Sequence, residues 1–123
     1  MPQQRTSLAL YDILDAARDF QSILGDQTAD DVTADRRTRY AIERCIEIIS
    51  EASRRLPQQW KDEHSHIPWQ DIAGIGSILR HNYDRVSVAR LVELRGKLID
   101  DLIAATLDLL ERYDPEGRRF RDR

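Results

Sequence analysis

Cysteine is almost absent: Cys45 is the only one among 123 residues. An internal disulfide is therefore excluded, and no Cys/His cluster carries the spacing of a zinc site. Lysine is nearly as scarce, with only Lys61 and Lys97. Arginine therefore carries almost all the positive charge, and its planar fork suits bidentate contacts to phosphate or carboxylate. No apolar run approaches the roughly 18 residues that span a bilayer. The start Met1-Pro2-Gln3-Gln4-Arg5 leads into charged sequence without the apolar core of a secretory signal. A surplus of positive charge is missing too. A net charge of −3 excludes a histone-like binder and confines any grip on nucleic acid to a local groove. These absences lead to the expectation of a soluble protein in a reducing cytoplasm.

What is present is a globular composition, 41% hydrophobic and 33% charged, on a length that suits one domain. Four helical segments stand out and no strand does. In 7–24, Leu10, Ile13 or Leu14, Ala17, Phe20 and Leu24 recur at helical spacing before Gly25. After a polar loop over 26–31, Thr33 is placed to cap a second helix, 34–56. Its face is Ala41, Ile42, Cys45, Ile48 or Ile49, Ala52 and Leu56, and Pro57 ends it. A polar connection over 58–67 follows, with Trp60 expected against the core and His64 and His66 expected as surface-loop residues. Pro68 suits the first turn of a third helix, 69–81, in which Trp69 is a core anchor. Residues 83–86 turn the chain, and Ser87 caps a long fourth helix to 113, striped by Leu91, Leu94, Leu98, Leu102, Ala105 and Leu109. Asp114-Pro115-Glu116-Gly117 breaks it. The expected fold is an all-α antiparallel bundle of four main helices plus a short connecting helix, a domain over 1–113 with an Arg-rich tail over 114–123. Ile46 and Ile49 flank the stripe of the second helix, and Ile99, Ile103 and Leu110 that of the fourth. These widened faces lead us to expect a homodimer.

The densest polar cluster is Arg80-His81-Asn82-Tyr83. An imidazole takes or gives a proton near neutrality, and a guanidinium holds phosphate and the charge that develops on it. Such a group could activate a ribose 2′-hydroxyl against its own phosphate without a metal. The same four residues also make an ordinary basic helix end favoured by the helix dipole. Glu43, Glu47 and Glu51 share one helix face. They either reach this cluster or form a solvated stripe paired with Arg44, Arg54 and Arg55. No Glu-x-x-His accompanies them, so a di-metal bundle is not expected. Cys45, inside the apolar stripe, reads as an inert buried thiol.

Residues 39–52 (RYAIERCIEIISEA), followed by Leu56-Pro57, resemble the second helix of HepT-like proteins of the HEPN superfamily. Residues 67–75 (IPWQDIAGI) and 78–86 (ILRHNYDRV) resemble that family's catalytic segment. The resemblance spans 7–112. It implies a HEPN-like bundle and a ribonuclease toxin of a toxin–antitoxin pair. Such a toxin cleaves RNA without metal or cofactor, as a homodimer lining a shared cleft, and pairs with a minimal nucleotidyltransferase antitoxin. The family motif is Arg, four residues, His, one residue, Tyr. His81 and Tyr83 match it, but Gly76 stands at the arginine position and Ser77 where Asn is common. Positions 76 and 80 are one turn apart and about 40° different in heading, so Arg80 is expected to supply the cation. The implied catalytic set is Arg80, His81 and Tyr83, with Glu51, Asn82 and Ser77 in support, Glu51 matching a recurrent family acid. The alternative is a catalytically weak binding partner of the nucleotidyltransferase, with Tyr83 accepting nucleotide modification.

Overall fold

A computed structural model describes residues 2–82 and 87–117, with side chains for 7–79 and 87–117. Among the described residues seven helices follow one another: α1 (Pro2–Leu24), α2 (Ala29–Ala34), α3 (Arg36–Arg54), α4 (Gln58–Asp62), α5 (Trp69–Asn82), α6 (Val88–Glu93) and α7 (Lys97–Tyr113). The described residues include no strand, so the fold is all-α as expected. None of their helices is long and apolar enough to cross a membrane.

The core forms where the helical periodicities meet. Leu10, Ile13, Ala17, Phe20 and Leu24 of α1 are fully buried, and Ile42, Ile49 and Ala52 of α3 join them with Leu102, Ala105 and Leu109 of α7. Each such aliphatic or aromatic side chain contributes about 1.5–3 kcal/mol on leaving water. α3 is the central element: α1 packs on one side of it and α5 on another, while α7 closes on α1. Trp60 is buried and stacks on Tyr113, ring centroids 4.4 Å apart, joining α4 to the end of α7. Trp69 is half-buried against the core, and its indole N–H donates to the Lys61 and His64 carbonyls.

Several boundaries differ from those the sequence suggests, each for a local reason. Thr28, not Thr33, is the upstream cap: it forms a capping box with Asp31 and starts the extra helix α2. Thr33 instead donates its hydroxyl to Ala29 O inside α2, and Asp35 caps α3 by accepting from Arg37 N–H. The expected fourth helix is two. Its register breaks at residues 94–96, where Gly96 leaves helical geometry at φ −83°, ψ −124° and the Arg95 guanidinium donates to the Gly25 and Gln27 carbonyls. Ser87 does cap α6, accepting from Arg90 N–H. His64 is not a free loop residue, since its Nε2 lies 2.8 Å from Asp108 Oδ2. Ile46, Ile49, Ile99 and Leu110 are buried in this chain's own core, and Ile103 is partly buried against it. The expected turn at 83–86, and residues 118–123 of the tail expected over 114–123, lie outside the described residues.

Candidate functional site at the seam of α3 and α5

The candidate motif stands at the C-terminal end of α5, and α3 positions that helix. The two run antiparallel, as their contacts show. Arg54 donates to the Ala73 carbonyl, Ser50 reaches both Ala73 and Gly76, and Glu47 backs onto Gly76. Ser50 is fully buried. Its hydroxyl donates to Ala73 O at 2.8 Å and accepts from the Gly76 N–H at 3.1 Å. A hydroxyl has one proton and two lone pairs, so both helix backbones are tied by a single side chain.

Gly76 is what permits this approach. A Cβ added there would overlap Oγ and Cβ of Ser50, so α5 presents bare backbone to α3 at this point. The motif arginine is thus missing from a position that has no room for any side chain. Since α5 stays helical to Asn82, residues 80–82 carry the motif onward on a regular helix. At about 1.5 Å per residue, the backbone of Arg80 stands about one turn beyond the Ser50 contact, level with about Arg44 of α3.

The acids of α3 take three different roles. Glu43 is 8% exposed and pairs with Arg39, Nε to Oε1 2.6 Å, a charge-assisted bond in a partly dry setting. Its partner is therefore not one of the three arginines expected for the stripe. Glu47 is half-buried and pairs with Arg44 at 3.2 Å. Glu51 is exposed and stands beside Ser50, nearer the middle of α5 than its motif end. Arg55 bridges instead to Asp12 of α1. Ser77 is half-buried. The side chains of Arg80, His81 and Asn82, and all of Tyr83, lie outside the described residues. Burial pushes the Cys45 thiol above its ordinary range, with the negative charge of Asp19 adding to it, so this cysteine is a packing residue. Among the described residues no group of three or more His, Cys, Asp or Glu side chains is arranged to hold a metal ion.

Reasoning from the sequence did not single out Ser50. One signal was available: a hydroxyl inside the otherwise apolar run Ile46, Ile49, Ala52, opposite a helix bearing Gly74 and Gly76. Nor did it find the Arg39–Glu43 pair, since both residues sit on a face that looks solvated in one dimension.

The chain is similar in sequence to known proteins. A family model described as ribonuclease HepT-like matches residues 13–109. A Methanocaldococcus jannaschii protein named as a putative RNase is 32% identical over 83 residues, covering 68% of this chain and 69% of that one. A Thermococcus cleftensis protein named as a probable ribonuclease HepT is 34% identical over 79 residues, covering 64% and 72%. A Caldanaerobacter subterraneus protein named as a putative RNase is 35% identical over 72 residues, covering 58% and 64%. No solved structure matches at a significant level.

Proposed function

Because the chain belongs to the ribonuclease HepT-like family, we propose that it is a metal-independent endoribonuclease, the toxin of a cytoplasmic toxin–antitoxin pair, with Arg80, His81 and Tyr83 at its site. The observation that carries this reading is the seam just described. Ser50 and Gly76 fix α5 rigidly, and the helix then delivers positions 80 and 81 at its end. Position 76 has no room for a side chain, so the cation must come from elsewhere on the helix. Arg80, one turn along and about 40° round, is the cation at hand.

In the proposed reaction His81 takes the proton of a ribose 2′-hydroxyl, and the 2′-oxygen bonds to the adjacent phosphorus. The bond from phosphorus to the 5′-oxygen breaks, and that oxygen takes a proton from Tyr83 or back from His81. The products are a 2′,3′-cyclic phosphate and a 5′-hydroxyl. Arg80 holds the phosphate and the charge that builds on it. Two copies of the chain are proposed to share the cleft, with a minimal nucleotidyltransferase as the antitoxin.

The test is RNA cleavage by the purified protein in EDTA. Wild type should yield cyclic-phosphate ends, and His81→Ala and Arg80→Ala should each cut about 100-fold more slowly or worse while staying helical. Arg80→Lys should also fail, since an ammonium cannot give the bidentate hold. Activity that vanishes in chelator and returns with a divalent ion would overturn the metal-free mechanism. The displaced cation favours one second reading, a weak nuclease that serves mainly to dock the nucleotidyltransferase, with Tyr83 as modification acceptor. Arg80→Ala cutting within a few-fold of wild type, together with a mass shift on Tyr83 when the nucleotidyltransferase and a nucleoside triphosphate are added, would select it.

A further inference from the structure

Tyr40 is 61% exposed, the largest exposure among the large hydrophobic residues described. A phenol ring left in water at the start of a long helix contributes nothing to the core. Its neighbours are basic: Arg36 and Arg44 stand one turn to either side of it, and Arg37 lies beside Arg36. Within 36–44 there are four arginines (36, 37, 39, 44) and one acid, Glu43. Glu43 is committed to Arg39, and Asp35 just before them is committed to capping α3. Arg36 and Arg37 are exposed and make no ion pair among the described residues. Arg44 is paired with Glu47, yet its side chain remains 68% exposed.

The helical register gives this group a direction. Taking Ser50 as the point that touches α5, Arg36 lies about 40° and Tyr40 about 80° round α3 on one side, with Arg44 at about 120°. Arg36 and Tyr40 therefore flank the side of α3 on which α5 lies. In height, the end of α5 at Asn82 comes level with about position 42 of α3, so the first turns of α3 project past it. Arg36 and Tyr40 thus overhang the end of the helix that carries Arg80 and His81, and Arg44 continues the row beside it.

We propose that this row is the ledge that receives the substrate: Tyr40 stacks on an unpaired base next to the cleaved linkage, while Arg36 and Arg44 hold the flanking phosphates. The inference rests on the ribonuclease reading above. An aromatic face between guanidinium groups is the recognition chemistry of single-stranded nucleic acid. Stacking is tolerant of sequence because every base has a π-face, and the arginines follow the backbone. A duplex would keep its bases stacked on each other and offer Tyr40 none. The locality of the row also reconciles RNA binding with an overall charge of −3.

The experiment uses the full chain and a fluorescent oligouridine with 2′-O-methyl riboses, which the proposed reaction cannot cut, alone and as a duplex with its complement. Wild type should prefer the single strand. Tyr40→Ala should weaken binding about ten-fold or more, and Tyr40→Phe should restore it, since the ring and not the hydroxyl does the stacking. Arg36→Gln and Arg44→Gln should each reduce the salt dependence by about 0.7 in the logarithmic slope, one phosphate apiece. With cleavable RNA, Tyr40→Ala should raise KM and leave kcat nearly unchanged, the reverse of His81→Ala. If wild type cuts RNA but Tyr40→Ala and Arg36→Gln keep their affinity and KM within two-fold, the ledge is wrong and the ribonuclease reading survives. A protein partner would then be the occupant of this face. Tyr40-dependent binding of the probe with no cutting of any RNA would sink the ribonuclease reading and leave the ledge standing. No binding of the single strand by wild type overturns the ledge outright.

Discussion

At the scale of single residues, Gly76 and Ser50 decide how close the motif helix comes to its support. Placing alanine at a helical glycine ordinarily gains about 1 kcal/mol from reduced backbone entropy. Here the new methyl would overlap both outer atoms of Ser50, and overpacking of that kind costs about 1–3 kcal/mol. The overlap wins. Gly76→Ala should lower the melting temperature by several degrees, and Ser50→Gly added to it should recover part of the loss, a coupling that a double-mutant cycle measures. Additive losses in the two variants would show that the contact is not tight. Arginine at 76 should separate α3 from α5 altogether, so restoring the family's motif residue at its usual place should abolish activity rather than raise it. Arg80, His81 and Tyr83 stand out in the sequence as a candidate motif because they are chemically conspicuous, though their side chains lie outside the described residues. Gly76 was legible only as a gap in that motif. That it is a contact could not be read there, since contact depends on which residue of α3 stands opposite.

At the scale of elements, the periodicity of three and four located α1, α3, α5 and the stripe shared by α6 and α7, but not the interruptions. Gly96 leaves helical geometry between the two helices, and the adjacent Arg95 bonds to carbonyls about 70 positions away, which no local pattern announces. The helix α2 was missed and the start of α3 set two residues early for a different reason, because Thr28, Thr33 and Asp35 are all competent caps and only geometry chooses among them. Asp35 is the one that starts the central helix. Its carboxylate accepts from the Thr38 hydroxyl at 3.0 Å and from the Arg37 N–H at 3.0 Å. The Thr38 bond is the largest of the causes that hold its pKa below the usual carboxylate value of 3.8. A depressed carboxyl stabilises the fold at pH values above its unfolded pKa and loses that contribution as pH falls through its folded one. Asp35→Ala should therefore melt below wild type at pH 7 and pH 5, and the gap should close as the pH drops below 3.8. A gap that stays constant down to pH 2 would mean that the charge of Asp35 plays no part in the cap.

At the scale of the molecule, α5 packs on α3 but leaves its other side uncovered, because the chain after it returns through α6 toward α2 and α3 and begins α7 only at Lys97. The result is a groove of about 550 Å³ walled by Ile72, Ile75 and Ile78 of α5 and by Leu98 and Leu102 of α7, with Ile46 and Ile49 at its base. Ile78 is 43% exposed there, and exposed aliphatic surface along a groove is unfavourable unless something covers it. The widened stripes of the sequence pointed to a dimer through residues that turn out to be interior. Some apolar surface does remain open on the helix bearing the motif, at Ile78. A second copy of the chain laid across this groove would bring two α5 helices together and place both motifs at one cleft, which is the arrangement proposed for RNA cleavage. Ile78→Asp tests it with little risk to the fold, since the side chain is already half in water. Light scattering of wild type at micromolar concentration should give about twice the 14.3 kDa of one chain, and Ile78→Asp should give the single value with its helical content unchanged. Cleavage should fall together with the dimer and recover at high protein concentration if weak association persists. A monomeric wild type that still cuts RNA would show that one chain suffices, and the groove would then need another occupant.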